Sequence, residues 1–457
     1  MVSDLSKLWS KKAKKIFVKT LTEQTQTKHS NSQQLNLAII TQFFPPDYAA
    51  TGQLIQELAH QLGQKNIQVN IFTGQPGYVF KQKNASALEI ANNVKIHRLQ
   101  VKQFGSKRIR SKILNGVIFT LIAAWYLLKN ARKNNAVILT TAPAFLAIIG
   151  YITNLIFKLD YICLVYDLYP DVVIELGIIS QDSVIAKLWN KINALVWSRS
   201  KRIVVLSNTM KQRITAKHPE LADKISVIHN WADADWIKPL AKVDNWFAHQ
   251  HQINQKFTVL YSGNLGHCHD LDTIMNTAIL LKEQPIQFVF IGTGAKHQQC
   301  LQTAQEFNLN NCIFLPYQER ENLPYSLTAC DLALVTIARG LEGVIAPSKV
   351  YGIMAAGKAI AAICEPHSYL RQMITEANCG ASFDNNHSEQ LAEFILSLAA
   401  DSTMTNEMGQ SGRNYLKKHF TPEIIAQQYC EILGINVDAD NTNIEKEHIL
   451  YRIFESI

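Results

Sequence analysis

The chain has 457 residues, 47% of them hydrophobic, and a formal net charge of +8. This length excludes a single compact core and suits two globular domains of about 200 residues each. The charge is uneven along the chain, because no acidic residue lies between Glu89 and Asp160. That asymmetry predicts an anionic partner for the N-terminal half.

Residues 1–34 predict a short basic amphipathic helix on a polar tether. Lysines alternate there with apolar residues such as Leu5, Trp9 and Phe17, before a stretch rich in Gln, Ser and Thr. Membrane attachment and an extension without a role both fit this pattern. A secretory signal needs an uninterrupted apolar segment after its charges, and none follows here, so we expect a cytosolic chain.

From Leu35 the pattern becomes strand, loop, helix and strand, which is a Rossmann-like opening. The loop contains Pro45, Pro46 and Gly52 but lacks the G-x-G-x-x-G motif of dinucleotide sites. We therefore interpret it as a loop that faces a ligand held by the other domain. Further strands alternate with helices, as a parallel sheet requires, at 94–101, 136–141, 161–167, 203–207 and 225–229.

Basic residues surround the apolar run at 113–128, which favours an anionic membrane over nucleic acid as the partner. These basic residues are Arg98, Lys102, Lys107, Arg108, Arg110, Lys112, Lys129, Arg132 and Lys133. The run is shorter than the ~20 residues that span a bilayer, and the next apolar run, at 144–157, is shorter still. Two buried Rossmann helices, an interfacial surface and a transmembrane hairpin all remain open.

A D-x-x-P-D segment runs from Asp167 to Asp171, directly after a predicted strand. Doubly wound sheets bind ligands at this carboxyl edge. An aspartate there is suited either to accept a hydrogen bond from an attacking hydroxyl or to cap the next helix.

A polar linker is predicted at 236–255. Just before it, Asp233 and Asp235 match a D-x-D metal motif, and Asp270 and Asp272 do the same further on. We reject both matches, because neither pair follows a strand within a nucleotide-binding unit.

The second domain is predicted to begin at residue 256 with an apolar strand that ends in a glycine turn at Gly263 and Gly266. Two histidines and a cysteine follow at 267–269, but further zinc ligands at the usual spacings are missing. We therefore predict no metal site and no cofactor.

An anion site is predicted further along the second domain. A buried strand at 332–337 leads to a loop with Glu342 and Gly343, and then to a helix that opens at Ser348. The helix N-terminus, the loop N–H groups and Lys349 are suited to bind a phosphate. A carboxylate beside a diphosphate pocket suits a nucleotide sugar, which carries hydroxyls at one end and phosphates at the other.

Three motifs in this region, Glu342-Gly343, 347–351 (PSKVY) and 355–358 (AAGK), resemble the donor-site signature of retaining glycosyltransferases of family 4. The likeness is greatest to the branch that assembles bacterial exopolysaccharide, colanic-acid and O-antigen units, and it covers roughly residues 35–435.

The sequence departs from the family pattern at the donor site. The family's second Glu, which binds the donor ribose, is replaced by Val350 or Gly352, depending on how the motif is counted. Its diphosphate-clamping Arg and Lys are replaced by Asn264 and by His267 or His269.

The resemblance implies an α/β protein of the GT-B fold, in which two Rossmann-like domains face each other across a cleft. We expect the N-terminal extension at 1–34, an acceptor domain at 35–235, the linker at 236–255, a donor domain at 256–420, and a crossover helix with a tail at 421–457. The predicted catalytic residues are Glu342, Lys349 and Asp167. The predicted donor-binding residues are Gly52, Gly263, Asn264, Gly266, His269, Gly292, Gly294, Tyr317, Gly343, Val344 and Ser348.

The expected activity is transfer of a sugar, with retention, from a nucleotide sugar such as a UDP-sugar to a lipid-linked glycan acceptor. We expect a peripheral enzyme of bacterial surface-polysaccharide synthesis, bound to the anionic inner face of the plasma membrane, with no nucleic-acid partner. Two alternatives remain open. One is a scaffold with this fold that has lost catalysis, and the other is a nucleotide-sugar 2-epimerase.

Overall fold

The computed structural model describes residues 34–47, 49–76, 85–100 and 109–435. The predicted basic helix near the N-terminus and the segment after residue 435 therefore lie outside the described residues.

The first sheet has eight strands in the order β3-β4-β2-β1-β5-β6-β7-β8. Their bounds are β1 (Asn36–Ile40), β2 (Gln68–Thr73), β3 (Leu88–Ala91), β4 (Val94–Arg98), β5 (Ala136–Thr140), β6 (Asp160–Val165), β7 (Arg202–Val205) and β8 (Ile225–Val227). Strands β4 to β8 end slightly before the predicted ends, because their last residues leave the ladder to form the loops at the carboxyl edge.

One strand of this sheet was not predicted. Strand β3 pairs antiparallel with β4, and Asn92 in the turn between them adopts a left-handed φ of 51°. The prediction that all strands alternate with helices is therefore wrong at this edge. The strand is only four residues long, and its Leu88 and Ile90 are exposed at the edge of the sheet, so a pattern based on burial could not identify it.

The second sheet has six parallel strands in the order β11-β10-β9-β12-β13-β14. Their bounds are β9 (Phe257–Ser262), β10 (Ile286–Ile291), β11 (Cys312–Leu315), β12 (Leu332–Thr336), β13 (Ala359–Ile363) and β14 (Gly380–Phe383). The central strands β10, β12 and β13 are buried at every position. Helices cover both faces of such a parallel sheet, which is why these strands are continuously apolar.

The helices connect and cover the two sheets. Their bounds are α1 (Ala50–Gln64), α2 (Ile109–Asn130), α3 (Ala147–Phe157), α4 (Asp171–Glu175), α5 (Val184–Arg199), α6 (Asn208–Lys217), α7 (Trp246–Gln250), α8 (Leu271–Leu280), α9 (His297–Glu306), α10 (Leu323–Thr328), α11 (Lys349–Ala355), α12 (Tyr369–Ala377), α13 (Ser388–Ala400), α14 (Ser402–His419) and α15 (Pro422–Leu433). Helix α3 contacts both α2 and α5. Right-handed crossovers place these three helices on one face of the first sheet, and α1 on the opposite face.

The last described helix, α15, returns to the first sheet. Thr421 caps it by accepting a hydrogen bond from the Ile424 N–H, Pro422 occupies its first turn, and Gly434 ends it with a φ of 80°. The helix packs on α1, where Gln61 Nε2 donates to Glu423 Oε1 at 3.0 Å. The chain therefore crosses back to the N-terminal side after completing the second sheet. The predicted domain boundaries stay predictions.

Candidate active site

A cleft of about 650 Å³ lies where the carboxyl ends of the two sheets meet. From the first sheet it is lined by residues such as Phe43, Ala142 and Asp167, which follow β1, β5 and β6. From the second it is lined by the turn after β9 and by the start of α11. Residues that follow strands of both sheets therefore line the same cleft.

Lys349 reaches the cleft from the first turn of α11. Its Nζ is buried, has no hydrogen-bond partner among the described residues, and lies 3.7 Å from the centroid of the Tyr261 ring. Burial lowers the pKa of Lys349 to about 7. A buried ammonium without a counter-ion is unfavourable in free energy. This position is therefore suited to an anion that would pair with the ammonium.

The glycine turn after β9 faces this lysine. Gly263 adopts a φ of +130°, and a Cβ built there would lie 3.4 Å from Lys349 Nζ. Gly263 and Asn264 line the cleft. The backbone of the turn after β9 and the lysine of α11 thus lie next to each other in the cleft. Backbone N–H groups beside a lysine are suited to bind a phosphate.

Four other predicted glycines, Gly52, Gly266, Gly292 and Gly294, are not among the residues that line the cleft. They pack beneath the residues that do. A Cβ on Gly292 would lie 2.1 Å from Gly263 O, one on Gly294 would lie 2.4 Å from the Leu265 backbone, and one on Gly266 would touch the Asn264 side chain at 2.7 Å. These three glycines let the turn pack against the next loop. Gly52 likewise lets α1 approach the backbone of Phe44, at 2.9 Å from a built Cβ.

His269 lines the cleft as a neutral imidazole. Its Nδ1 donates to the carbonyl of Thr336 at 3.0 Å, because a carbonyl can only accept. Burial, together with the nearby Lys349, lowers the pKa of His269 to about 3. His269 therefore supplies no positive charge to the cleft.

Asp167 also lines the cleft, at the end of β6. Its backbone N–H and that of Tyr166 both donate to Thr141 Oγ1, at 3.3 and 3.1 Å, which fixes this segment. Burial raises the pKa of Asp167 to about 6. A carboxylate with a raised pKa in a cleft is suited to proton transfer.

The capping alternative does not hold for either aspartate of this motif. Helix α4 has Pro170 at its N-cap and no side-chain cap hydrogen bond. Asp171 instead forms ion pairs with Arg213 and Lys217, at 3.1 and 2.7 Å. Asp167 is thus the aspartate of the motif that lines the cleft.

Glu342, which the sequence analysis predicts to be a catalytic residue at the donor site, is placed away from the cleft surface. It is not among the residues that line the cleft. Its Oε1 accepts from Thr209 Oγ1 at 2.6 Å and from the Tyr369 N–H at 3.4 Å, and its Oε2 is buried without a partner among the described residues. The predicted contact between Glu342 and the donor sugar stays a prediction that this geometry does not favour.

The remaining predicted residues divide between the cleft and the loop that follows β12. Ser348 and Tyr317 line the cleft, and Ser348 is the N-cap of α11 without a side-chain cap bond. Gly343 and Val344 lie in the loop. Gly343 has a φ of +73°, and the Val344 carbonyl accepts from the Leu168 N–H at 2.9 Å.

A polar cluster that no sequence pattern indicates lies at another part of the cleft. Glu57 on α1 accepts from Arg320 Nη2 at 2.8 Å and from Trp231 Nε1 at 2.9 Å. The Arg320 guanidinium lies 5.0 Å from the centroid of the Trp236 ring. Burial raises the pKa of Glu57, and the charge of Arg320 opposes this effect. These four residues come from three distant segments, so no local pattern could identify the cluster.

Within the described ranges, no group of three or more His, Cys, Asp or Glu side chains is arranged to hold a metal ion. Asp233, from the rejected D-x-D match, lines the cleft, but its Oδ1 accepts from the N–H groups of Asp235 and Trp236 at 2.8 and 3.0 Å. This is an ordinary turn interaction.

The two facing Rossmann-like domains and the cleft between them define the GT-B fold, so the predicted fold class is confirmed. Residues 243–415 match the family model described as "Glycosyl transferases group 1". This part of the chain is therefore similar to group 1 glycosyl transferases.

Particular relatives agree with this class. The "Probable glycosyltransferase WbjE" of Pseudomonas aeruginosa is 26% identical over 326 residues, which is 71% of this chain and 80% of that protein. The "Putative colanic acid biosynthesis glycosyl transferase WcaI" of Escherichia coli (strain K12) is 29% identical over 155 residues, or 33% of this chain and 38% of that protein. A crystal structure of Anabaena Alr3699/HepE in complex with UDP and glucose superposes with a TM-score of 0.66 at 15% identity, covering 88% of this chain and all of that one.

Proposed function

We propose that the protein transfers a sugar from a nucleotide-sugar donor to a lipid-linked glycan acceptor, with retention, during synthesis of a cell-surface polysaccharide. The observation that carries this proposal is the buried, unpaired Lys349 opposite the Gly263 turn. The printed titles of relatives support the finer points. WcaI is described as a colanic acid biosynthesis enzyme, and HepE is described in complex with UDP and glucose, which favours a UDP-sugar.

In the proposed mechanism, Lys349 and the backbone of the glycine turn stabilise the negative charge that develops on the leaving diphosphate. Asp167, whose pKa is raised to about 6, accepts a hydrogen bond from the attacking hydroxyl of the acceptor. The hydroxyl attacks the sugar carbon from the face that the diphosphate leaves, the bond to the phosphate oxygen breaks, and the hydroxyl proton passes to the leaving phosphate, so the configuration is retained. No step of this mechanism requires a metal ion.

We also propose that the enzyme binds peripherally to the inner face of the plasma membrane. Helices α2, α3 and α5 expose large apolar side chains on the same side of the first sheet, namely Leu114, Val117, Leu121, Trp125, Ile152, Leu155, Ile156, Val184, Ile185, Leu188 and Leu195. We call this set the apolar face. Lys129 and Arg132 stand beside it, over the rings of Trp125 and Phe157, which suits an interface of apolar chains and anionic head groups.

Among the described residues, the helical stretch Leu114–Lys133 is long and apolar enough to cross a membrane, judged by length and composition alone. Only 28% of it is buried inside the protein. It packs on α3 and carries basic side chains at its end, which favours a position in the interface over a span.

The activity is tested by incubating the purified full chain with a panel of UDP-sugars and a lipid extract that contains polyprenyl-diphosphate saccharides. We expect one donor to be consumed, a glycosylated lipid to form, and NMR to show the anomeric configuration of the donor in the product. An inverted product would contradict retention.

Two results of this assay would contradict transfer itself. The resemblance places Asn264, and His267 or His269, where the family has its clamping Arg and Lys. These replacements favour the scaffold alternative, which predicts UDP binding without consumption of any donor. The 2-epimerase alternative predicts an epimerised donor in the absence of acceptor.

A further inference from the structure

Residues 340–344, between β12 and α11, form a loop that we call the donor loop, and residues of the opposite domain hold it. Arg213 on α6 donates from Nη1 to the carbonyl of Gly340 at 3.2 Å and to that of Glu342 at 3.1 Å. One guanidinium of the first sheet's domain therefore holds the loop of the second.

The same guanidinium holds the segment that follows Asp167. Arg213 Nε donates to Asp171 Oδ1 at 3.1 Å, and Nη2 donates to Glu175. Both carboxylates belong to α4, the helix that begins just after Asp167. Arg213 thus joins the segment that follows Asp167 to the donor loop through a single rigid group.

Further contacts support the same junction. The Leu168 N–H, adjacent to Asp167, donates to the Val344 carbonyl at 2.9 Å. A Cβ built on Gly343 would lie 2.7 Å from Thr209 O, so the donor loop fits closely against the start of α6. These bonds join different domains, so they must break if the cleft opens.

We propose that Arg213 is a positioning residue that holds the donor loop and the Asp167 segment at one fixed separation. The proposal rests on the proposed glycosyl transfer, because its consequence is alignment of donor and acceptor. The planar guanidinium is needed, since it bonds two carbonyls and two carboxylates at once, which a lysine ammonium cannot do in this geometry. Misplacement of reacting groups by about 1 Å can lower a rate by about 100-fold.

The test compares Arg213→Gln and Arg213→Lys with the control Arg202→Gln. Arg202 is an arginine of the same domain whose guanidinium reaches the carbonyl of Asp223. We expect both Arg213 variants to lower kcat by about 10- to 100-fold, while the Kd of UDP changes less than about threefold. Hydrogen exchange should rise together in peptides that cover 338–346 and 167–176, and the control should change none of these quantities.

Several outcomes would overturn the proposal. An unchanged kcat in Arg213→Gln would do so, as would faster exchange confined to α4, which would mean that Arg213 only stabilises its own domain. Restoration of full kcat by Arg213→Lys would show that charge alone is required. If the wild type transfers no sugar, the proposed function fails, and the exchange experiment still decides whether Arg213 couples the two segments.

Discussion

At the scale of single residues, Lys349 makes a direct prediction for donor binding. Burial lowers its pKa to about 7, well below the ordinary value of about 10.4. A diphosphate next to Nζ favours the ammonium and raises this pKa. Below about pH 7 the donor meets a lysine that is already protonated, whereas above that pH binding must take up a proton.

We therefore expect the Kd of UDP to be constant below about pH 7 and to rise by up to about tenfold per pH unit above it. Titration calorimetry between pH 6 and 9, in two buffers of different ionisation enthalpy, measures both the affinity and the proton uptake. Lys349→Met is the matched control, because it keeps an unbranched apolar side chain of similar size and removes the amine. This variant should bind UDP weakly, and the rise of its Kd above pH 7 that Lys349 causes in the wild type should be absent. A wild-type Kd that stays flat to pH 9 contradicts the assignment.

The residues of the candidate site differ in how far the sequence could predict them. Lys349, Asp167 and the Gly263 turn follow from motifs at the ends of buried strands, because the carboxyl ends of parallel strands meet at one edge. Glu342 lies in a loop, where the direction of a side chain depends on tertiary partners. Its partner Thr209 is 133 residues away.

The contacts between the two domains had no signal in the sequence. Arg320 and Glu57 are 263 residues apart, and Arg213 and Gly340 are 127 residues apart. Neither pair belongs to a repeated spacing or a short motif. Only the arrangement of the two domains brings these groups together, so local pattern analysis could not have named them.

At the scale of secondary structure elements, strands buried on both faces were predictable, because their continuous apolar runs have few other interpretations. Helix α2 was identified as a possible membrane surface from its apolar run and basic flanks. Helix α5 was not, because its apolar residues alternate with polar ones as in any amphipathic helix. The structure shows that Val184, Ile185, Leu188 and Leu195 of α5 nevertheless remain exposed.

The apolar face predicts salt-dependent binding to anionic membranes. Leu121 on α2 and Leu188 on α5 are 65% and 56% exposed, and burial of that exposed part in lipid would contribute about 1–2 kcal/mol for each. We expect the double variant Leu121→Glu, Leu188→Glu of the full chain to bind anionic liposomes at least about tenfold more weakly than the wild type. Co-sedimentation across ionic strength measures this.

Leu280→Glu is the matched control for this experiment. Leu280 is 50% exposed on α8, which belongs to the second sheet's domain, so its substitution should leave liposome binding unchanged. If the wild type fails to bind liposomes at any salt concentration, the peripheral proposal is wrong. Resistance of the protein in cell membranes to alkaline carbonate would replace it with the transmembrane hairpin.

At the scale of the whole molecule, the packing of the first sheet's domain depends on the end of the described chain. Helix α15 comes last among the described elements, yet it packs on α1. Gln61 and Glu423, which join the two helices, are 362 residues apart. The N-terminal domain therefore reaches its full packing only when the C-terminal helix has docked.

This topology predicts that a change in α15 destabilises the first sheet. Tyr429 is 1% exposed on α15, and removing a buried aromatic ring costs about 3–5 kcal/mol. We expect Tyr429→Ala to lower the free energy of unfolding by about that amount. Hydrogen exchange should become faster in α1, β1 and β2, and stay nearly unchanged in β9 to β14. Tyr325→Ala is the control, because Tyr325 is 39% exposed and its removal should cost much less. Faster exchange confined to the second sheet would show that α15 belongs to that domain alone, and that the crossover does not stabilise the first.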